Sequence, residues 1–158
     1  MFVVARALTY STLFVGFILV FLPARVLSSS GVLQPVAIGP WQIGGMLAGA
    51  AGAALALACI STFALVGKGT PAPFDPPRRL VRLGPYRIVR NPMYLGAALA
   101  MGGAAFYYQS FALVGYVGVF LLAAHLLVAW YEEPTLRRTF GDDYTAYCNT
   151  VGRWWPRR

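Results

Sequence analysis

Two groups of side chains in this 158-residue sequence are of types that could do chemistry. The first is a basic, turn-rich segment at residues 82–96, which places three arginines and two tyrosines where a polar loop enters an apolar helix. The second is the pair Glu132 and Glu133, the only glutamates in the chain, at the end of a later apolar run. Arginines at such a helix entrance face lipid phosphates or surround an anionic or polar ligand. The glutamates either charge a helix end or take part in a polar site.

The segment that holds the arginines has a clear local pattern. Gly84-Pro85 is a turn signal. Asn91 followed by Pro92 predicts the start of a helix, with the asparagine as its cap and the proline in its first position. The arginines therefore lie at the N-terminus of an apolar helix, where backbone N–H groups also favour an anion.

Composition indicates an integral membrane protein. The chain is 58% hydrophobic and 11% charged, whereas soluble domains average about 25% charged residues. The net charge of +8 comes from residues that flank apolar runs. This distribution favours a membrane surface as partner and not nucleic acid. The sequence has no metal-ligand spacing among Cys59, Cys148 and His125, so we expect no metal site. It also lacks a pair of nucleophile and base that would indicate a hydrolase.

The apolar runs predict an all-α integral membrane bundle. They are long enough for about four transmembrane helices, followed by a C-terminal helical cap, in a single domain. The last two runs are separated by so few residues that they predict a tight helical hairpin. A cleavable signal peptide is the alternative for the first run. The predicted spans are residues 5–24, 41–67, 92–108 and 111–131.

Lysines and arginines predict the orientation. Residues 68–90 hold six of them and residues 137–158 hold five, whereas the other connections are nearly free of charge. The positive-inside rule then places both termini, the loop at residues 68–91 and the cap at residues 132–158 in the cytosol. We expect a multi-pass protein of a bacterial inner membrane.

Several ordered motifs resemble one family of membrane enzymes. The chain is similar to the isoprenylcysteine carboxyl methyltransferases and phospholipid methyltransferases over roughly residues 67–155. Those proteins carry a Gly-Pro-Tyr turn, then Arg-(His/Asn)-Pro-x-Tyr-x-Gly, a helix hairpin and a Glu-Glu pair. The matching motifs here are Gly84-Pro85-Tyr86, Arg90-Asn91-Pro92-Met93-Tyr94-Leu95-Gly96 and Glu132-Glu133-Pro134.

The resemblance implies methyl transfer from S-adenosylmethionine to a lipophilic acceptor, such as a prenylcysteine-like carboxylate or a phospholipid amine. Such chemistry needs few catalytic groups, because the donor is already activated and the protein mainly aligns the reactants and excludes water. Glu133 and Arg153 are the candidates for catalysis. The implied cofactor site consists of Gly67, Gly69, Tyr86, Arg90, Asn91, Pro92, Tyr94, Glu132, Glu133, Arg137 and Tyr144.

The sequence departs from the family's pattern at two positions, and two other function classes stay open as alternatives. Asn91 stands where the prenylcysteine enzymes usually have His, which weakens a prenylated cysteine as the acceptor, and Gly152 replaces a frequent Pro. An NADPH-dependent reductase of the sterol reductase type is the alternative enzyme. A small membrane protein without activity is the third hypothesis, since each motif also has a structural explanation.

Two features of the apolar helices have both a structural and a functional interpretation. His125 precedes Glu132 by seven residues, which on a helix predicts the same face. An ionisable residue at that depth should face the protein interior, either as part of a site or as a neutral hydrogen-bonding partner. Gly45 and Gly49 allow close helix contact, within the chain or in a dimer, and the oligomeric state stays open.

Overall fold

The computed structural model describes residues 16–32, 37–67 and 79–157 of the chain. Every regular element in these ranges is helical. A wide π-helical turn extends the second helix, and another joins the fourth to the fifth without a break. The helices are α1 (Phe17–Ser29), α2 (Pro40–Thr62, extended by the π turn Phe63–Gly67), α3 (Pro92–Tyr108), α4 (Phe111–Leu127) and, after the π turn Val128–Glu132, α5 (Glu133–Thr150).

The predicted all-α membrane fold is confirmed for the described residues. Two helices are long and apolar enough to cross a membrane: α2, and the continuous helix Phe111–Thr150 that contains α4 and α5. Helix α3 has 17 residues, fewer than the roughly 20 of a typical span. Residues 5–15 of the first predicted span lie outside the described ranges, so the number of spans stays a prediction.

Helices α2 and α3 pack with their backbones in close contact. A Cβ atom at Gly45 would lie 2.6 Å from the Gly103 carbonyl oxygen, and one at Gly52 would lie 2.6 Å from that of Gly96. The absence of side chains is what lets the two backbones approach, as in other small-residue membrane interfaces. Gly45 therefore serves packing within the chain.

Adjacent glycines on α3 provide a test of this contact. A Cβ at Gly103 would lie 2.5 Å from the Gly45 carbonyl oxygen, whereas one at Gly102 would meet nothing within 4 Å. We expect Gly103→Ala to lower the free energy of unfolding by about 1–3 kcal/mol, the usual cost of overpacking. Gly102→Ala should be neutral or slightly stabilising, because alanine favours a helix. Thermal unfolding in detergent measures both, and equal stabilities would contradict the packing.

The predicted hairpin between α3 and α4 is confirmed. Gln109 ends α3 in the left-handed conformation, with φ 51°. The next residue, Ser110, caps α4, and its hydroxyl accepts a hydrogen bond from the Leu113 backbone N–H at 3.3 Å. This serine satisfies one of the free donors at the helix start. Helix α4 also contacts α1, because the Tyr116 hydroxyl donates a hydrogen bond to the Ile18 backbone carbonyl at 2.7 Å.

The helix that continues from α4 is irregular at two points. The π turn Val128–Glu132 adds a residue to one turn, which rotates the residues after it relative to those before it. At Gly141 the backbone takes φ 52°, and α5 continues beyond this kink. Tyr144 and Tyr147 thereby become part of a buried cluster.

Candidate active site

The segment before α3 is bound to the C-terminal tail. The Arg90 backbone N–H donates to the Gly152 carbonyl at 2.9 Å. The Asn91 side-chain amide donates to the Arg153 carbonyl at 3.2 Å. Asn91 is the N-cap residue of α3, as predicted, but its side chain makes no capping hydrogen bond. Pro92 does occupy the first turn of the helix, as predicted.

These contacts close one end of the bundle around a cavity, which we call the tyrosine pocket. It lies where α2 ends, α3 begins and α4 runs into α5. Its cavity volume is about 90 Å³, and the empty space including its opening to solvent is about 650 Å³. The residues that line it are Phe63, Leu80, Val81, Tyr86, Arg90, Asn91, Met93, Tyr94, Val128, Glu132, Glu133, Leu136, Tyr144 and Tyr147.

Glu132 lines the tyrosine pocket with a carboxylate that no described cation pairs. Its Oε1 accepts a hydrogen bond from the Tyr94 hydroxyl at 2.5 Å. Tyr94 is held in turn by the ring of Trp154, edge-on at 6.3 Å between centroids. Within residues 79–157, no arginine forms a salt bridge with Glu132. Burial raises the pKa of the Glu132 carboxyl group, which, without a described cationic partner, is available to a polar or cationic group in the pocket.

Glu133 has the opposite environment, although it is the next residue. Its side chain is 8% exposed, and the Arg153 guanidinium donates to both carboxylate oxygens at 2.7 Å. Arg90 approaches the same carboxylate at 3.1 Å. These hydrogen bonds raise the pKa of Arg153. Two arginines thus share one buried carboxylate, which fastens the start of α3, the start of α5 and the tail together.

Three tyrosine hydroxyls of the pocket stay protonated at neutral pH. Burial raises the pKa of Tyr86 and of Tyr144. It also raises the pKa of Tyr147 to about 12. The Tyr147 hydroxyl accordingly donates to the Tyr86 backbone carbonyl at 2.6 Å. The hydroxyls are hydrogen-bond donors and not bases, which leaves Glu132 as the basic group without a cationic partner in this pocket.

The structure brings most of the residues predicted for the site together. Tyr86, Arg90, Asn91, Tyr94, Glu132, Glu133 and Tyr144 all line the tyrosine pocket.

The other predicted residues lie around or away from it. Pro92 is buried at the start of α3, and Arg153 reaches the site through Glu133. The Arg137 guanidinium lies 5.9 Å from the Tyr144 ring, outside the lining. Gly67 ends the π turn after α2. Gly69 lies outside the described residues.

Seven lining residues were not predicted. Most are apolar, and nothing in their sequence pattern separates a pocket wall from a packed core. Tyr147 had a signal, because Phe140, Tyr144 and Tyr147 recur at spacings of four and three residues, as on one face of a helix. The seven are Phe63, Leu80, Val81, Met93, Val128, Leu136 and Tyr147.

The prediction that His125 faces the protein interior is wrong. Its side chain is exposed on α4, and its Nδ1 accepts a hydrogen bond from the Trp154 indole at 3.1 Å. The π turn between His125 and Glu132 breaks the regular helical register that the prediction assumed. Gly152, which replaces the frequent Pro, also has a structural reason, since a Cβ there would collide with the Trp155 carbonyl oxygen.

Two of the three arginines grouped by the sequence pattern lie away from the pocket. Arg82 pairs with Asp143 at 3.4 Å and lies over the Tyr147 ring. Arg87 is exposed at the end of a short helical turn. Arg90 alone of the three lines the pocket.

One family of known proteins matches much of the chain. Residues 41–143 match the family described as phospholipid methyltransferase, PEMT. This match runs from α2 into α5 and includes the Arg90 to Gly96 motif and both glutamates. No curated protein and no solved structure gives a match. The match covers more than half of the chain and confirms the resemblance found in the motifs: this membrane protein belongs to the phospholipid methyltransferase family.

Proposed function

We propose that the protein transfers a methyl group from S-adenosylmethionine to a lipophilic acceptor, and that the tyrosine pocket holds the cofactor. The family implies a methyltransferase that acts on lipid-type substrates. The observation that carries the proposal is Glu132, whose carboxylate has no described cationic partner, in a pocket of mainly aromatic and apolar side chains that also holds Arg90, Asn91 and the paired Glu133. No comparable carboxylate lines the other pockets described in residues 41–157.

The residues present fit the chemical groups of this cofactor. It carries a cationic sulfonium and an amino group, a carboxylate, two ribose hydroxyls and an adenine ring. Glu132 suits the hydroxyls or the cationic end, and Arg90 suits the carboxylate. The rings of Tyr86, Tyr94 and Tyr144 offer faces to the adenine or to the sulfonium.

The cofactor supplies an activated methyl group. As its C–S bond breaks, the methyl group bonds to a lone pair of the acceptor, and S-adenosylhomocysteine is released. An acceptor that starts protonated also releases a proton. The chain aligns the two partners and excludes water. Glu132, held by Tyr94, is our candidate for the group that accepts this proton. A direct catalytic role for Glu133 and Arg153 stays a prediction; their pairing favours positioning the pocket walls.

The lipophilic acceptor would reach the pocket from the bilayer. The pocket lies at one end of the bundle, beside the start of α3 and the end of α4, both of which are apolar helices. The excess of lysine and arginine in residues 68–90 and 137–158 supports placing this end in the cytosol. A soluble cofactor is available on that side. Carboxylate and amine acceptors both remain compatible with the site.

Calorimetric titration of the detergent-purified protein tests the proposal. We expect S-adenosylhomocysteine to bind and NADPH not to bind, because the pocket presents the free Glu132 carboxylate, which would repel a polyphosphate. Labelled methyl should then pass from S-adenosylmethionine into a lipid extract. Binding of NADPH without S-adenosylhomocysteine would favour the reductase. Binding of neither, by protein that unfolds cooperatively, would favour a membrane protein without activity.

A further inference from the structure

One polar ring, that of His125, lies near the end of the apolar helix α4. The helix contains no aspartate, glutamate, lysine or arginine, and the His125 side chain is exposed on its surface. A polar side chain in a membrane span is costly unless it has a partner. His125 has one, because its Nδ1 accepts a hydrogen bond from the Trp154 indole at 3.1 Å. The histidine therefore ties the C-terminal tail to a membrane helix.

This hydrogen bond fixes the orientation of the Trp154 ring. The backbone just before Trp154 is held separately, since the Arg153 carbonyl accepts a hydrogen bond from the Asn91 side-chain amide at 3.2 Å. A fixed backbone still leaves the indole several side-chain rotamers. The bond to His125 selects one of them, and it brings the centroids of the two rings to 6.2 Å.

The orientation of Trp154 matters because its ring packs against Tyr94. The two rings meet edge-on with their centroids 6.3 Å apart, an arrangement that aromatic pairs favour. The ring of Phe120 on α4 also lies 6.3 Å from that of Tyr94. Aromatic contacts to Tyr94 therefore come from the tail and from the helix that carries His125. Together they set the direction in which the Tyr94 hydroxyl points.

The Tyr94 hydroxyl in turn holds the Glu132 carboxylate, to which it donates a hydrogen bond at 2.5 Å. Within residues 79–157, no salt bridge holds this carboxylate. Glu133 differs, because arginines fix its side chain directly. The orientation of Glu132 therefore depends on Tyr94, and through Tyr94 on the ring of Trp154.

We infer that His125 is a positioning residue for the Glu132 carboxylate. It acts through the Trp154 ring, which holds the Tyr94 hydroxyl in place. His125 does not line the tyrosine pocket, so it has no direct contact with a ligand bound there. The chain of contacts stands on the geometry alone. Its effect on cofactor binding rests on the proposed function.

NMR of the full chain in detergent, with isotope-labelled tryptophan and tyrosine, tests the contacts. His125→Leu removes the hydrogen-bond acceptor, and leucine suits a membrane helix, so this variant should fold. We expect the Trp154 indole N–H resonance to move upfield, as on loss of a hydrogen bond, and the ring signals of Tyr94 to move with it. His125→Asn offers an amide oxygen near the position of Nδ1 and should restore both. Trp154→Phe and Tyr94→Phe assign the signals.

Calorimetry with S-adenosylmethionine tests the positioning. We expect His125→Leu and Trp154→Phe each to weaken binding about two- to ten-fold, the range of one neutral hydrogen bond. His125→Asn should bind like the wild type. Trp155→Phe is the matched control, because the Trp155 side chain is 81% exposed. It should change the affinity less than about two-fold, as surface substitutions usually do.

A double-mutant cycle separates positioning from a general structural effect. In a Glu132→Gln background, His125→Leu should weaken binding no further, because the carboxylate through which it acts is already gone. A general disturbance of the fold would weaken binding by the same factor in both backgrounds. Thermal unfolding checks that each variant is folded.

Several results would overturn the inference. An indole resonance that His125→Leu leaves in place would show that the hydrogen bond is absent. Tyr94 signals that stay fixed while the indole moves would show that the contact only fastens the tail. Independent losses from His125→Leu and Glu132→Gln would show that the histidine acts by another route. Equal losses from Trp154→Phe and Trp155→Phe would indicate a general effect of the tail.

Failure of the proposed function gives a different result. If both NMR changes occur in His125→Leu but the wild type binds no S-adenosylmethionine, the contacts from His125 to Tyr94 are confirmed. The proposed function is then what fails.

Discussion

Replacement of Glu133 by glutamine is expected to lower the free energy of unfolding by about 3–5 kcal/mol, the usual effect of breaking a buried ion pair. The substitution keeps the shape of the side chain but leaves Arg90 and Arg153 facing each other without their shared carboxylate. For a chain of this size the melting temperature should fall by roughly 10 °C. Thermal unfolding in detergent, followed by circular dichroism, measures the change.

A double-mutant cycle separates this role from direct catalysis. Arg153→Gln combined with Glu133→Gln should cost less than the sum of the single changes, because the second substitution removes a charge that the first left unpaired. Arg138→Gln, a matched surface change, should add to Glu133→Gln without coupling. If Glu133→Gln instead melts like the wild type and loses only S-adenosylhomocysteine binding, Glu133 contacts the cofactor directly.

The neighbouring substitution Glu132→Gln should have the reverse effect, with folding retained and cofactor binding weakened. Glutamine can still accept the hydrogen bond from Tyr94, and Glu132 has no salt bridge within the described residues to break. We expect affinity for S-adenosylmethionine to fall about 10- to 100-fold, the effect of a hydrogen bond to a charged group. Calorimetry measures the affinity, and the melting temperature should stay close to that of the wild type.

Two ligands locate the group that Glu132 meets. S-adenosylmethionine carries the sulfonium charge and S-adenosylhomocysteine does not. If the carboxylate faces the sulfonium, Glu132→Gln should weaken S-adenosylmethionine much more than S-adenosylhomocysteine. Equal losses would instead place the carboxylate at the ribose hydroxyls or the amino group. Unchanged affinity for both ligands would show that the tyrosine pocket is not the cofactor site, or that Glu132 takes no part in it.

The contrast between these glutamates could not be predicted from the sequence. Adjacent residues on a helix point about 100° apart, but the sequence does not say which of them faces a cation. The π turn Val128–Glu132 sets the helical register at this point, and no local sequence motif predicts it. Arg153 and Arg90 approach Glu133 from distant parts of the chain. Only the folded tail brings them together.

Much of the fold was determined by local signals in the sequence. Apolar runs predicted the helices, because a chain in lipid must satisfy its backbone hydrogen bonds within each segment. Asn91-Pro92 marked the start of α3, and the short connection at Gln109 and Ser110 marked the hairpin. The motifs around Arg90 and the glutamate pair identified the family. These features depend on neighbouring residues, which is why they can be read without a structure.

The tertiary structure decided how those elements are used. Gly45 and Gly49 could have served a dimer as well as a helix pair, and the close contact of Gly45 with α3 assigns that glycine to packing within the chain. The Asn91 side chain could have capped its own helix, but it holds the tail instead. Each outcome depends on which distant surface arrives at the residue. The sequence by itself therefore determined the helices and the family, whereas only the packing of distant segments decided which side chains form the site.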